Sequence, residues 1–165
     1  MTSSTGWIRV GVAGLVIALG ASTLTGCKKQ PYELELVGYD YTDRALLDFS
    51  VNGISGGNVF LSTKTSGGGK YACCILLDRS AHFPLDIEVG YMREALVASP
   101  SDRILEPADT RRLIARVQLR GPIPERPAFL EVHFFPDGHI DASLSGEEGP
   151  SPPRLKLDRR LPYVR

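Results

Sequence analysis

The sequence has no excess of charge of either sign. Its 165 residues include 19 lysines and arginines and 19 aspartates and glutamates, so the formal net charge is zero. A nucleic-acid-binding domain normally carries a basic excess, because the neutralisation of phosphates supplies most of its affinity. We therefore expect no nucleic-acid partner.

Motifs that carry chemistry are also scarce. The three cysteines form no Cys-x-x-Cys pair, the arrangement typical of disulfide oxidoreductases. The glycine-rich stretch that ends at Lys70 is followed by Tyr71, and not by the serine or threonine of a phosphate-binding P-loop. The three histidines, His82, His133 and His139, have no cysteine pair or carboxylate at a metal-ligand spacing. We expect no metal, no cofactor, no small-molecule substrate and no enzymatic activity.

What the sequence does contain is one long apolar stretch, at its N-terminus. No charged residue lies between Arg9 and Lys28, and residues 10–19 are almost wholly apolar. A cation, an apolar core and then small residues is the order of a secretory signal peptide. The stretch ends in Leu24-Thr25-Gly26-Cys27, the pattern of a bacterial lipobox, in which the cysteine thiol receives a diacylglycerol. An uncleaved transmembrane helix and an ordinary signal peptide are the two alternatives.

The lipobox interpretation defines the mature protein and its location. Residues 1–26 are predicted to be removed, and residues 27–31 form a lipidated N-terminus and short tether at the membrane. Lys28, not aspartate, follows the lipidated Cys27. By the usual sorting rule for lipoproteins, we expect an anchor in the outer membrane, on its periplasmic face.

The mature chain is predicted to consist of short strands. Polar and apolar residues alternate over residues 32–37 and 85–91, as in half-buried strands. Residues 71–77 are apolar on both faces, which predicts a central strand covered on each side. Further strands are predicted at residues 45–51, 111–120, 129–135 and 139–144. Pro136-Asp137-Gly138 predicts a tight turn between the last two.

These elements predict an all-β domain over residues 32–145. Residues 38–43, 52–70 and 100–110 are expected to be connections, and residues 92–98 could form one or two helical turns. Short strands with regularly spaced turns favour an antiparallel, immunoglobulin-like β-sandwich with few or no helices. Residues 146–165 are rich in proline and are expected to form a stiff, unpacked extension.

A pair of adjacent cysteines lies in the predicted central strand. With Cys27 lipidated, Cys73 and Cys74 remain in an oxidising compartment. Neighbouring Cα atoms are about 3.8 Å apart, which is closer than the usual disulfide window. Side chains in a regular strand also alternate between faces. Two buried free thiols and a vicinal disulfide are both open alternatives.

Partner-binding residues are expected in the polar connections, because a β scaffold holds loops without needing their side chains for packing. Aromatic and arginine side chains dominate interface energy, and they are concentrated in residues 39–44. The opposing interpretation is that the tyrosines cap the core. The residues predicted to bind a partner are Tyr39, Tyr41, Arg44, Asn52, Asn58 and Lys70.

Seven short motifs give the chain a resemblance to a known family. In order they are the lipobox, residues 38–44, 49–53, 55–58 and 67–69, the Cys73-Cys74 pair, and residues 134–138. Together they resemble a family of small bacterial lipoproteins that carry a domain of unknown function, often encoded beside type VI secretion lipase effectors. The resemblance implies an immunity protein that binds and neutralises a phospholipase effector in the periplasm. The alternative is a structural or assembly lipoprotein of the envelope or of a secretion apparatus.

Overall fold

The structure is a computed structural model that describes residues 29–98 and 101–159. The regular elements of these residues are all β-strands, which confirms the predicted all-β class. In the described part of the chain, no helix is long and apolar enough to cross a membrane. The predicted signal peptide and Cys27 lie outside the described residues.

The described residues form ten strands, several of which differ from the sequence prediction. They are β1 (Tyr32–Asp40), β2 (Leu46–Val51), β3 (Ile54–Val59), β4 (Gly68–Leu77), β5 (Leu85–Arg93), β6 (Leu96–Ala98), β7 (Arg103–Glu106), β8 (Leu113–Leu119), β9 (Pro127–Phe134) and β10 (Ile140–Gly146).

Eight of the strands form one continuous sheet, in the order β10-β9-β1-β4-β3-β2-β5-β8. Neighbouring strands are antiparallel except β1 and β9, which are parallel. The edge strands β8 and β10 lie close together, so the sheet nearly closes into a barrel. The hairpin of β6 and β7 is separate. The strands therefore do not divide clearly into the two packed sheets of the immunoglobulin-like sandwich that the sequence predicted.

The core fills the inside of this curved sheet. Alternate residues of a strand point to opposite faces, so each strand contributes every second side chain. In β1 these are Leu34 and Leu36, and in β9 they are Leu130, Val132 and Phe134. Side chains from β2, β3, β5 and β8 complete the core: Leu46, Phe49, Val51, Val59, Ile87, Val89, Val117 and Leu119.

The turn between β9 and β10 agrees with its prediction. Gly138 has a φ of 87°, in the left-handed region that glycine adopts most easily. The N–H of Phe135 donates to the carbonyl of His139 over 3.0 Å. The register then pairs Ile140 with Phe134.

Segments expected to be connections contain strands. β1 continues to Asp40 because it pairs in parallel with β9, where Tyr39 lies opposite His133. β3 occupies residues 54–59 of the predicted loop 52–70, and β4 begins at residue 68. β7 lies within the predicted connection 100–110, and the end of β5 and β6 lie where helical turns were expected at 92–98. The pairing of β1 with β9 joins distant parts of the chain, which local sequence patterns do not show, whereas β2 with β3 and β6 with β7 are local hairpins.

The C-terminal segment, residues 147–159, is packed and not free as expected; we call it the tail. Pro153 is buried, and Leu155 and Leu157 pack against a second apolar cluster on the outer surface of the sheet. The core of that cluster is Val37, Tyr39 and Tyr41. The extension therefore covers part of the outer face of β1 and β9.

Candidate functional site

Tyr39 and Tyr41 are buried, which contradicts their predicted place in an exposed binding loop. Tyr39 lies on the outer face of β1, Tyr41 directly follows that strand, and both lie beneath the tail. The hydroxyl of Tyr39 donates to the carbonyl of Ser151 over 2.5 Å. The opposing interpretation, that these tyrosines pack, is closer to the structure, although they pack outside the sheet.

Arg44 is also buried, and it too is absent from the surface that the sequence predicted. Its guanidinium pairs with the carboxylates of Asp43, at 3.3 Å, and of Glu106. Glu106 ends β7, so this ion pair attaches the small hairpin to the end of β1. A buried arginine that is paired on two sides holds the fold together and presents no free charge to a partner.

A chain of hydrogen bonds runs through the buried polar groups under the tail. The N–H of Arg154 donates to the Tyr41 hydroxyl over 2.8 Å, and that hydroxyl lies 3.1 Å from Nδ1 of His133. Nε2 of His133 lies 3.3 Å from a carboxylate oxygen of Glu131. With a neutral imidazole whose proton is on Nε2, every link has one donor and one acceptor.

The buried environment of this hydrogen-bond network determines the charge of each of its side chains. Burial lowers the pKa of His133 and therefore favours the neutral ring. Burial also raises the pKa of Glu131, but hydrogen bonds from His133 and Ser151 outweigh it and hold that pKa at about 2. Burial raises the pKa values of Tyr39 and Tyr41, so both hydroxyls keep their protons. The cluster therefore holds one carboxylate among neutral donors.

Asp40 is a second buried carboxyl group at the end of β1. One of its oxygens accepts hydrogen bonds from the N–H and the hydroxyl of Thr42, at 2.9 and 2.7 Å. Burial raises its pKa to about 6, despite those hydrogen bonds and the nearby Arg159. The folded state binds this proton more tightly than the unfolded chain does. The contribution of Asp40 to the free energy of unfolding therefore falls as the pH rises and is lowest above pH 6.

The remaining three predicted residues are exposed. Asn52 has a φ of 48° in the turn between β2 and β3, and its side-chain oxygen accepts the N–H of Glu88 over 2.8 Å. It therefore has a structural role. Asn58 and Lys70 flank the paired residues Val59 and Gly69 on antiparallel β3 and β4, which brings them to opposing positions. Of the six predicted residues, these two share an accessible surface.

Cys73 and Cys74 form a disulfide, the second of the two alternatives, and the peptide bond between them is cis. The sequence predicted a strand covered on both sides at this position, and the structure does not show one. Leu34 pairs with Ile75 and Leu36 with Ala72, so the two cysteines lie opposite the single residue between the two leucines. This is a β-bulge, which breaks the alternation of side chains. Cys73 is exposed and Cys74 half-buried.

The outer side of β4 therefore presents an apolar surface to solvent. Tyr71 is 61% exposed and Leu76 62% exposed, while Phe60, just after β3, is 54% exposed. The ring of Tyr71 contacts that of half-buried Phe129, with centroids 5.6 Å apart. We call this region the β4 surface, formed by Asn58, Phe60, Lys70, Tyr71, Cys73 and Leu76. Exposed aromatic and apolar side chains beside a lysine form a surface suited to contact with another protein.

Sequence reasoning missed these apolar contact residues because it assigned Tyr71 and Leu76 to the core. The sequence carries no local mark of the bulge, which the structure shows because Ala72 and Ile75, three residues apart, both pack on the core. A strand with regular alternation would place them on opposite faces.

A serine-hydrolase spacing, Gly53-Ile54-Ser55-Gly56-Gly57, also occurs in the sequence. A nucleophile elbow joins a strand to a helix, whereas this segment leads from a turn into antiparallel β3. The Ser55 hydroxyl donates to Asp48 and accepts from the N–H of Gly57, both over 3.2 Å. Neither partner is a histidine, so the segment lacks the nucleophile–base contact of a triad. Among the described residues, no cluster of three or more potential metal ligands is found.

Comparison with known proteins gives one match. Residues 39–141 match the family described as "Protein of unknown function (DUF3304)". No curated protein and no solved structure matches the chain. The matched residues run from the end of β1 into β10, within the predicted domain of residues 32–145, and they cover more than half of the sequence. The chain therefore belongs to the DUF3304 family.

Proposed function

We propose that the protein is a periplasmic lipoprotein that binds and neutralises a type VI secretion phospholipase effector. The β4 surface is its contact region, and the exposure of Tyr71 is the observation that carries this assignment. Tyr71 is exposed beside Phe129 in a strand whose bulge points additional side chains outward. The lipase as partner rests on the resemblance of the sequence motifs to immunity-type lipoproteins.

The β4 surface combines properties that make interface residues contribute strongly to affinity. Tyrosine supplies a large, rigid contact area together with a hydroxyl, and its burial by a partner removes apolar area from water. Lys70 precedes Tyr71 and is also exposed. The exposed apolar side chains on the outer side of β4 suit an occluding contact with another protein.

The binding prediction concerns Lys70 and Tyr71. The Lys70→Ala, Tyr71→Ala double variant of the fragment 28–165 is expected to bind the proposed partner, a type VI phospholipase effector, at least about tenfold more weakly than the unsubstituted fragment does. Its melting temperature should change little, because both side chains are exposed. Isothermal titration calorimetry beside a thermal melt measures both quantities.

The matched control is Ile114→Ala, which removes an apolar side chain that is 55% exposed on β8, in another part of the sheet. It should bind the lipase at full strength. A folded double variant that also binds at full strength removes the β4 surface from the interface. Absence of binding by the unsubstituted fragment contradicts the proposed function itself.

Membrane attachment is proposed to occur through acyl chains on Cys27, with the protein on the periplasmic face of the outer membrane. Cells given an alkyne analogue of palmitate should label the wild-type protein, and Cys27→Ala should lose the label entirely because the acceptor thiol is gone. Cys73→Ala is the control, since it removes a different cysteine, and it should keep the label. Label that persists in Cys27→Ala would show that this thiol is not the lipidation site.

A further inference from the structure

The outer face of β1 and β9 forms a groove that the tail fills. Its side chains point away from the core, and without the tail they would be open to solvent. Aromatic rings dominate it: the ring of His133 stacks on Tyr39 at 4.3 Å, and Tyr41 contacts Phe135 at 5.1 Å. We call this the tail groove, formed by Val37, Tyr39, Tyr41, Phe129, Glu131, His133 and Phe135.

The groove holds the tail by its backbone. Residues 150–154 read Pro-Ser-Pro-Pro-Arg, so only Ser151 and Arg154 carry a backbone N–H in this stretch. The N–H of Ser151 donates to Glu131 over 2.6 Å, and that of Arg154 donates to the Tyr41 hydroxyl over 2.8 Å. The carbonyl of Ser151 accepts from Tyr39. Both available donors are therefore bound by groove side chains, as in the recognition of an extended peptide.

Charge favours an arginine at one position of the bound segment. The guanidinium of Arg154 pairs with Asp141 and donates to the hydroxyl of Ser143 over 2.8 Å, both on β10 at the side of the groove. Further along the tail, the guanidinium of Arg159 donates to the carbonyls of Thr42 and Ser62, at 2.9 and 3.0 Å. The carboxylates beside the groove thus complement the arginine of the tail, although the tail as a whole carries three basic and three acidic residues.

The tail is also separate from the sheet. β1 is hydrogen-bonded on both sides, to β4 and β9, and β9 is paired with β1 and β10. No tail residue pairs with these strands, so the sheet is complete without it. The family match ends at residue 141, before the tail begins.

We propose that the tail groove is a binding site for an extended, proline-containing peptide that carries an arginine, and that the protein's own tail is the ligand that occupies it. The consecutive prolines favour the extended conformation before binding, which lowers the entropic cost of docking. Two tyrosine hydroxyls and one carboxylate form hydrogen bonds with the peptide backbone, and Asp141 forms an ion pair with the arginine. The groove adjoins the β4 surface on the same outer face, where Tyr71 pairs with Val37 and contacts Phe129. The inference rests on the contacts of the tail and not on the proposed function.

Hydrogen exchange on the intact protein tests whether the tail opens separately. The amides of Ser151 and Arg154, followed by NMR, should exchange at least about a hundredfold faster than that of Val132 in the centre of β9, because docking and release need no global unfolding. Equal exchange rates for the tail and for Val132 would overturn the proposal, because the tail would then be part of the cooperative core.

A second measurement tests peptide binding directly. A protease site inserted between the exposed Glu147 and Glu148 of the full chain allows the tail to be cut from the folded protein. A fluorescent peptide of residues 148–159 should then bind saturably in an anisotropy titration. It should bind the uncut protein at least about tenfold more weakly, because the attached tail competes at a high effective concentration.

The matched peptide control carries Arg154→Ala, which loses the contacts with Asp141 and Ser143. It should bind the cut protein at least about tenfold more weakly than the wild-type peptide does. Unfolding upon cutting, or a folded cut protein that does not bind the wild-type peptide, would each overturn the proposal. Equal binding of the two peptides would overturn the part that assigns the arginine to Asp141.

Discussion

Replacing Gly68 with alanine is expected to lower the free energy of unfolding by at least about 4 kcal/mol, or to prevent folding. Gly68 begins β4 with a φ of 94°, and an added Cβ would overlap the carbonyl oxygen of Phe60 and lie 2.6 Å from its carbonyl carbon. The obstacle is backbone, which cannot move aside as a side chain can. The N–H of Phe60 also donates to the carbonyl of Gly68 over 3.1 Å, so the substitution would separate β3 from β4.

Gly53→Ala separates this steric effect from the effect of backbone conformation. Gly53 has a similar φ of 82°, but an added Cβ would meet no atom within 4 Å. Its cost should be only that of a left-handed alanine, about 1 kcal/mol. Urea denaturation of both variants measures the difference. If the two substitutions lower the free energy of unfolding by the same amount, the backbone of Phe60 does not lie as close to Gly68 as the structure shows.

The second large effect is expected for Glu131→Ala, which should lower the free energy of unfolding by about 3 kcal/mol at pH 7. Glu131 is fully buried and accepts hydrogen bonds from the N–H of Ser151, from His133 and from the hydroxyl of Ser143. Removing the carboxylate leaves those donors without an acceptor in a site closed to water. The control is Glu88→Ala, an exposed glutamate on β5, which should change stability by less than about 0.5 kcal/mol.

The effect of Glu131→Ala should depend on pH in a definite direction. The pKa of Glu131 is about 2 in the folded protein and has an ordinary value of 4.5. Its ionisation therefore stabilises the fold fully above pH 4.5, and this contribution is lost as the pH falls from 4.5 towards 2. Denaturation curves at pH 7, 4 and 2.5 should show the difference between wild type and variant shrinking. A difference that stays constant would contradict the ionised, hydrogen-bonded carboxylate.

Local patterns in the sequence predicted elements whose own residues carry a clear turn or alternation signal. The Pro136-Asp137-Gly138 turn joins strands adjacent in the chain, and the alternation over residues 85–91 corresponds to β5. In both cases the signal and the structure lie within a few residues of each other. The all-β class follows from the same signals, since few segments could bury a helical face.

Features that depend on distant contacts were not predictable in this way. Tyr39 and Tyr41 follow Gly38 and flank Asp40, residues that favour turns, so the segment resembled an exposed loop. Its strand conformation depends on pairing with β9, and its burial depends on the tail more than 100 residues later. The tail has the proline and charge content of a solvated segment. Its docking depends on a groove that no local pattern reveals.

The candidate surface was predicted only in part for a related reason. Asn58 and Lys70 were selected for their polarity and are exposed, whereas Tyr71 and Leu76 were assigned to the core by their apolar character. One extra residue in a bulge reverses the direction of the side chains that follow it. Composition does not show where such a residue is inserted, so the apolar half of the β4 surface became apparent only with the register of β1 and β4.

The position of β1 within the sheet also constrains the order in which the protein can fold. β1 is the first strand of the described residues, yet its two neighbours are β4 and β9, and its parallel pairing with β9 spans almost the whole domain. When the chain emerges from its N-terminus onward, one edge of β1 stays without a partner until residues 127–134 have arrived. Such unpaired edges are sites of aggregation, and closing so long a loop is slow. A truncated chain that ends before β9 therefore leaves the backbone groups along one edge of β1 without a partner strand.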